Sequence, residues 1–251
     1  MEETFLILLI LAFAMLVGST LGFGDSLTFI PLAGIFLDVR IATVLMGFWS
    51  TLLSILNAIK YRSYIDKPFL KKYISPGIIG VILGAILIVV APIQWIELFL
   101  GLFIIVYLIV KIRKIKREQI EDSINTNELP DAIFYTGAFS YGLLSGLIGA
   151  AGPINVALLE RTGHERESFI GNFAIISVLV SSVKLVIYSW NGLFPLEFIL
   201  MFFLGIAVIF IVTRFGHWLT PKIPKKEFQI LVMILLAIIS IRLIVVSLFF
   251  Y

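Results

Sequence analysis

From Tyr73 to Ala91 the chain carries no charged side chain. That run is long enough to cross a hydrocarbon core of about 30 Å as a helix. Nearly charge-free runs recur at about Ile41–Ile59, Trp95–Val110, Ser168–Trp190, Leu196–Thr213 and Glu227–Phe250. In a bilayer the chain must satisfy its own backbone N–H and C=O groups, which restricts it to helices or closed barrels. Runs of this length are helices. Composition agrees, with 60% hydrophobic and 14% charged residues, against roughly 25% charged in a soluble domain. The net charge of +3 is therefore read as basic loops on one side of a membrane and not as a nucleic-acid surface. The absence of cysteine excludes thiol redox chemistry, disulfides and thiolate metal sites. His164 and His217 both fall in predicted loops, so no imidazole cluster is in view. Met1-Glu2-Glu3 is acidic where a signal peptide would be basic, and no cleaved leader is expected.

Two hydrophobic segments are interrupted at their centres. The first, Leu16–Leu32, reads LVGSTLGFGDSLTFIPL; the second, Tyr141–Leu159, reads YGLLSGLIGAAGPINVALL. An offset of 127 residues superimposes them and also pairs Ser50 with Ser177, Ser54 with Ser181, Tyr61 with Tyr188 and Pro68 with Pro195. Broken backbone at membrane depth is tolerated only where protein or a water-filled cavity satisfies it. Duplicated, glycine-interrupted segments at corresponding places in two halves point to a transporter's binding site. Residues 1–117 form the first repeat, 118–130 a polar linker and 131–251 the second repeat.

Basic residues decide the topology. If each broken segment enters and turns back, or crosses twice, sixteen Lys/Arg share one side: those of Lys60–Lys72, Lys111–Arg117, the Glu160–Glu167 turn and Arg214–Lys226. Only Arg40 lies in the opposite loops. If each crosses once, the split is ten against seven. The positive-inside rule selects the first arrangement. It leaves three full crossings per half, so the halves are inverted. The expected fold is an all-α polytopic membrane protein with two inverted repeats. Each opens with a glycine-broken helix, re-entrant or kinked, followed by three transmembrane helices.

At the breaks, Gly22-Phe23-Gly24-Asp25-Ser26 and Gly149-Ala150-Ala151-Gly152-Pro153 remove side-chain bulk where the backbone must turn. Pro153 suits the first turn of a resumed helix, where its missing donor costs nothing. Two half-helix N-termini would then direct N–H groups at a shared centre, a ready site for an oxyanion. Thr28 and Asn155, paired by the offset, add polar groups one turn into the resumed helices. Gly149→Val or Gly152→Val is expected to abolish binding in a protein that still folds. The pairs Gly18/Gly22, Gly80/Gly84 and Gly142/Gly146 also fit small-residue helix contacts. Asp25, Lys184 and Arg242 are the ionisable residues deep in spans, and such residues face protein or water. Lys184 or Arg242 would compensate the substrate's charge, and Asp25 is the proton-coupling candidate. No catalytic residue, metal or cofactor is expected.

These residues resemble the TauE/SafE sulfite exporter family, the TSUP transporters of sulfur-containing anions. In that family each repeat opens with a glycine-rich stretch and an apolar run, often ending in proline-leucine. The match here is Gly22-Phe23-Gly24 followed by Leu27 to Pro31-Leu32, and Gly142 and Gly146 followed by Gly149, Gly152 and Pro153. Asp25 stands where small or apolar residues are common, Ala150-Ala151 interrupts the second glycine cluster, and Leu158 replaces the usual proline. The resemblance implies a multi-pass cell-membrane transporter of sulfite, thiosulfate or short organosulfonates, working by alternating access. Its partners would be a small anionic substrate and the lipid bilayer, without nucleic acid; a homodimer is compatible. Two other classes compete. A non-transporting scaffold or assembly factor explains packing glycines but not duplicated breaks. Gly22-Phe23-Gly24-Asp25 also spells the GxGD of intramembrane aspartyl proteases, whose chemistry needs a second carboxylate sharing a proton.

Overall fold

The long hydrophobic segments of this chain need burial or lipid, and the backbone meets that demand with helices alone among the described residues. The computed structural model describes residues 2–21, 24–118, 130–164, 166–194, 198–219 and 224–249. Ten α-helices lie in this set: α1 (Glu2–Leu21), α2 (Asp25–Ala33), α3 (Val39–Lys60), α4 (Lys67–Val90), α5 (Ile93–Glu118), α6 (Asp131–Ile148), α7 (Gly152–Arg161), α8 (Arg166–Trp190), α9 (Ile199–Leu219) and α10 (Lys225–Phe249). Five of them, α3, α4, α5, α8 and α10, are long and apolar enough to cross a membrane. Most of the expected linker, residues 119–129, lies outside the described residues.

Local chemistry sets the boundaries. Asp38 caps α3 by accepting the Arg40 amide at 2.7 Å, and Asp66 caps α4 by accepting the Phe69 amide at 3.1 Å. Asp66 and Pro68 start α4 six residues before the expected Tyr73, because a capping carboxylate and a first-turn proline outweigh the lysines beside them. Likewise α5 runs on through the KIRKIKR segment instead of ending near Val110. Cations are favourable at a helix C-terminus, so basic residues there extend a helix rather than end it.

The repeat is visible in the helix bounds. Moved back by 127 residues, α6 spans 4–21 against 2–21 for α1, and α7 spans 25–34 against 25–33 for α2. The main packings pair the same way. Helix α4 lies along α6 and α9 along α1, while α3 meets α8 and α5 meets α10. Each contact has a partner under exchange of the halves or maps onto itself. The two halves thus interlock and share one interior.

Glycines make the tightest of these contacts. A methyl at Gly80 or Gly84 of α4 would overlap the carbonyl oxygen of Phe139 or Leu143 in α6. One at Gly142 of α6 would overlap the Gly77 oxygen of α4. The small-residue pairs Gly80/Gly84 and Gly142/Gly146 are therefore facing halves of one backbone-to-backbone crossing. On the other side of the molecule Trp49 fills the space against Gly205, donates from Nε1 to the Phe202 carbonyl at 3.1 Å and meets Phe29 edge-on at 5.5 Å. This holds α3 against α2 and α9 from behind, leaving its opposite face toward the interior.

Contacts at one end of the bundle define its sides. Leu158 of α7 sits against Gly137 of α6, 2.7 Å from where a Cβ would stand, so α7 runs back along α6 as a hairpin. The Phe69 ring of α4 touches Phe134 at the start of α6 (5.4 Å) and His164 beyond the end of α7 (4.5 Å). Lys72 pairs with Asp131 at 3.3 Å, and Asn172 of α8 accepts the Asp66 amide at 3.0 Å. His164 Nε2 lies 3.5 Å from Asp66 Oδ2; burial lowers its pKa below the usual range, and the neighbouring Asp66 opposes that shift. The loop after α3 and the starts of α4, α6 and α8 thus share one end, the basic end. At the other end the Arg40 guanidinium, at the start of α3, donates to the Ala91 carbonyl at the close of α4.

Candidate functional site

Each break has a left-handed glycine among its described residues. Gly24 has φ 101° and Gly149 φ 68°, conformations that side-chain-bearing residues seldom adopt. Gly149 closes α6 by donating its amide to the Ser145 carbonyl at 3.2 Å. Helix α7 resumes at Gly152 with Pro153 in its first turn, as the sequence predicts. Between the breaks lies a cavity of about 380 Å³. Gly24, Asp25 and Ser26 line it from the first half, Gly149, Ala150, Ala151, Gly152 and Pro153 from the second, and Lys184 from α8. It reaches Lys60, Tyr61, Phe169 and Ile170 at the basic end.

Lys184 is 3% exposed, and its ammonium lies 3.4 Å from both the carbonyl and the hydroxyl oxygen of Ser145. One turn further along α8, the Tyr188 hydroxyl donates to the Gly146 carbonyl. These are among the last carbonyls of α6, that of Ser145 shared with the Gly149 amide, and the negative end of a helix dipole favours a cation there. The Lys184 stem passes Gly47 of α3, with Cε 3.3 Å from where a Cβ would stand. A side chain at position 47 would displace it.

The two resumed helices differ at their N-termini. Asp25 begins α2, and its Oδ1 accepts the Ser26 amide at 2.8 Å. That terminus already holds a carboxylate belonging to the chain. The equivalent residue of α7 is Gly152, with no side chain and nothing within 4 Å of a Cβ position. Pro153 supplies no donor and the Ile154 amide goes to the Ala151 oxygen at 3.0 Å. The symmetric picture of two equal anion-binding helix ends is thus corrected: one end is filled from within and the other is open.

The other expected site residues divide. Thr28 and Asn155 are fully buried behind the cavity instead of lining it. Asn155 Oδ1 accepts from the Tyr73 hydroxyl at 3.2 Å, while Thr28 Oγ1 has no partner among the described residues. Arg242 is exposed on α10 and outside the lining. It leaves the set, because hydropathy finds a charge inside a span but not the helix face it occupies. Gly22 and Phe23 lie outside the described residues. The expectation for Gly149→Val also changes. A Cβ there would meet Ile30 Cδ1 at 2.7 Å and Thr43 Cγ2 at 3.0 Å at positive φ, so the substitution strains the fold, and Gly152 alone offers a clean test. Asp25 is the one carboxylate lining the cavity among the described residues. Glu97 is buried in α5 but does not reach it. Sequence reasoning left out Ser50, Ser54, Asn57, Tyr141, Ser145, Ser177 and Ser181, all of which line the cavity.

A family model described as Sulfite exporter TauE/SafE matches residues 7–243. No curated protein and no solved structure matches the chain.

Proposed function

The chain belongs to the sulfite exporter TauE/SafE family, and from that premise we propose that it carries a small sulfur oxyanion across the membrane by alternating access. It is a multi-pass membrane protein, built on at least five spanning helices. The observation that carries the proposal is the cavity itself. It joins both helix breaks, contains the buried ammonium of Lys184 and meets the open N-terminus of α7. A buried cation lining a cavity favours an anion as its occupant. Sulfite, thiosulfate and a short organosulfonate all present a three-oxygen anionic face. Calorimetry with purified protein tests it: these anions should bind where acetate at equal concentration does not, and equal affinity for acetate contradicts an oxyanion site.

The same contacts support an inversion of the two halves. The α6–α7 hairpin returns to the basic end, so the second half begins and the first half ends on one side. The positive-inside rule makes that side cytoplasmic, and the cavity opens toward it. In the cysteine-free chain, Ser63→Cys and Arg161→Cys should label from the cytoplasmic side and Asn191→Cys from the other. Labelling of Arg161→Cys with Asn191→Cys would remove the hairpin and the inversion with it.

Asp25 supplies the coupling. Its carboxylate faces the cavity that receives the anion, and an ionised Asp25 would repel the cargo. Protonation removes that repulsion, so proton and anion load together. Lys184 is held by Ser145 and Asp25 by Ser26, so each keeps its own hydrogen-bond partner although their opposite charges attract. Asp25→Asn is therefore expected to melt within a few degrees of the native protein and to exchange anion. It should lose the acceleration that a pH gradient gives the native protein. Full gradient-driven flux in Asp25→Asn ends the coupling role; a large drop in melting temperature makes Asp25 a structural cap.

A further inference from the structure

Two helices that face each other across the cavity carry the same polar pattern. On α3 it is Ser50, Ser54 and Asn57; on α8 it is Ser177, Ser181 and Lys184, each the 127-residue mate of the first set. All six line the cavity. Spacings of four and three place each set on one helical face, and α3 packs directly on α8. We propose that these two stripes form a hydrogen-bonding track for the oxyanion, running from the basic end to Lys184.

The helices give the track its direction. Helix α3 ends at the basic end and α8 begins there, so they run oppositely. Ser54 and Asn57 lie on the basic side of Ser50, and Ser181 and Lys184 lie beyond Ser177. Lys184 confirms the register by reaching Gly47, one turn before Ser50. The stripes therefore run side by side, Ser54 level with Ser177 and Ser50 with Ser181, neutral donors leading from Asn57 to a terminal cation. An oxyanion leaving water needs its hydrogen bonds replaced at each step. Uncharged hydroxyls replace them weakly enough to release it again, as conduction through multiple sites requires.

The hydroxyls are not explained by helix packing. A serine or threonine inside a span commonly bonds the carbonyl four residues back, as Thr51 does to Gly47 at 2.6 Å. Ser50, its neighbour, does not: its Oγ is buried with no partner among the described residues. Ser177 pairs instead with the Tyr141 hydroxyl at 3.3 Å, where either oxygen can donate, and with Tyr141 as donor the Ser177 proton is free for the anion. Ser181 is 5% exposed overall yet faces the cavity.

This inference rests on the proposed anion transport, and its test separates the two. Thiosulfate and sulfite binding is measured by calorimetry on Ser50→Ala, Ser181→Ala, the double variant and Lys184→Gln, each with a melting curve. Removing an unpartnered hydroxyl should leave the melting temperature of Ser50→Ala unchanged, while each single serine variant binds about three- to tenfold more weakly. The double variant should lose roughly the product. In addition, Ser54→Cys should react with a cationic thiol reagent, and thiosulfate should slow that reaction. If Lys184→Gln weakens binding while both serine variants bind like the native protein, the track is overturned and the transport reading stands. If Lys184→Gln also binds like the native protein, the transport site itself is wrong and the track falls with it.

Discussion

Lys184→Gln is expected to weaken oxyanion binding by roughly 100-fold while the protein remains folded. Truncating one partner of a buried, charge-assisted contact costs about 2–5 kcal/mol, and 100-fold corresponds to about 2.7 kcal/mol. The fold survives because glutamine keeps an amide donor toward the Ser145 carbonyl, so the end of α6 keeps its cap. The charge is what is lost. No other cation is buried in the cavity among the described residues, since Lys60 lies exposed at its mouth and Arg242 outside it. Lys184→Arg is a harder substitution. A guanidinium is planar and bulkier than an ammonium, and the stem already passes close against Gly47 of α3, so only partial binding is expected. Binding and melting measured on the same preparations separate a lost charge from a lost fold. If Lys184→Gln melts far below the native protein, the side chain is chiefly a cap on α6.

The second large effect lies away from the site. Gly84→Val and Gly142→Val should each prevent stable folding, with no monodisperse protein recovered in detergent. A Cβ at either position overlaps a backbone carbonyl of the facing helix, and backbone has no rotamer to move into. Separating α4 from α6 would open the most extensive helix contact in the molecule, and changes of this kind exceed about 4 kcal/mol. Gly152→Ala is the matched control, because its Cβ meets nothing within 4 Å. It should fold normally and act only on binding, by narrowing the open end of α7. Equal recovery of Gly84→Val and Gly152→Ala, each judged by gel filtration, would mean that the α4–α6 crossing is not close-packed.

Much of this was legible in the residues. Hydropathy located the long spans, and the 127-residue offset located both breaks, because glycine clusters and a first-turn proline state their backbone requirements directly. The offset also held the track. Ser50/Ser177 and Ser54/Ser181 mark the repeat register, yet serine is nearly neutral to any hydropathy reading, and nothing in it separates a packed hydroxyl from one facing a cavity. Arg242 fails for a related reason. A span's azimuth depends on which helices it packs against, and α10 meets α5, α2 and α1, turning position 242 outward. Glycine tolerance was likewise beyond reach: Gly149 and Gly152 look equivalent in sequence, but Ile30 and Thr43, distant in the chain, crowd only the first.

The central claim is that the cavity between the breaks carries a sulfur oxyanion across the bilayer. Flux of isotopically labelled sulfite and thiosulfate into vesicles reconstituted with the purified native chain tests it most directly, beside Lys184→Gln and protein-free vesicles. Saturable flux of at least one of these anions is predicted for the native chain, falling to the protein-free level at the same substrate concentration in Lys184→Gln. Native flux indistinguishable from protein-free vesicles, or undiminished flux in Lys184→Gln, contradicts the account.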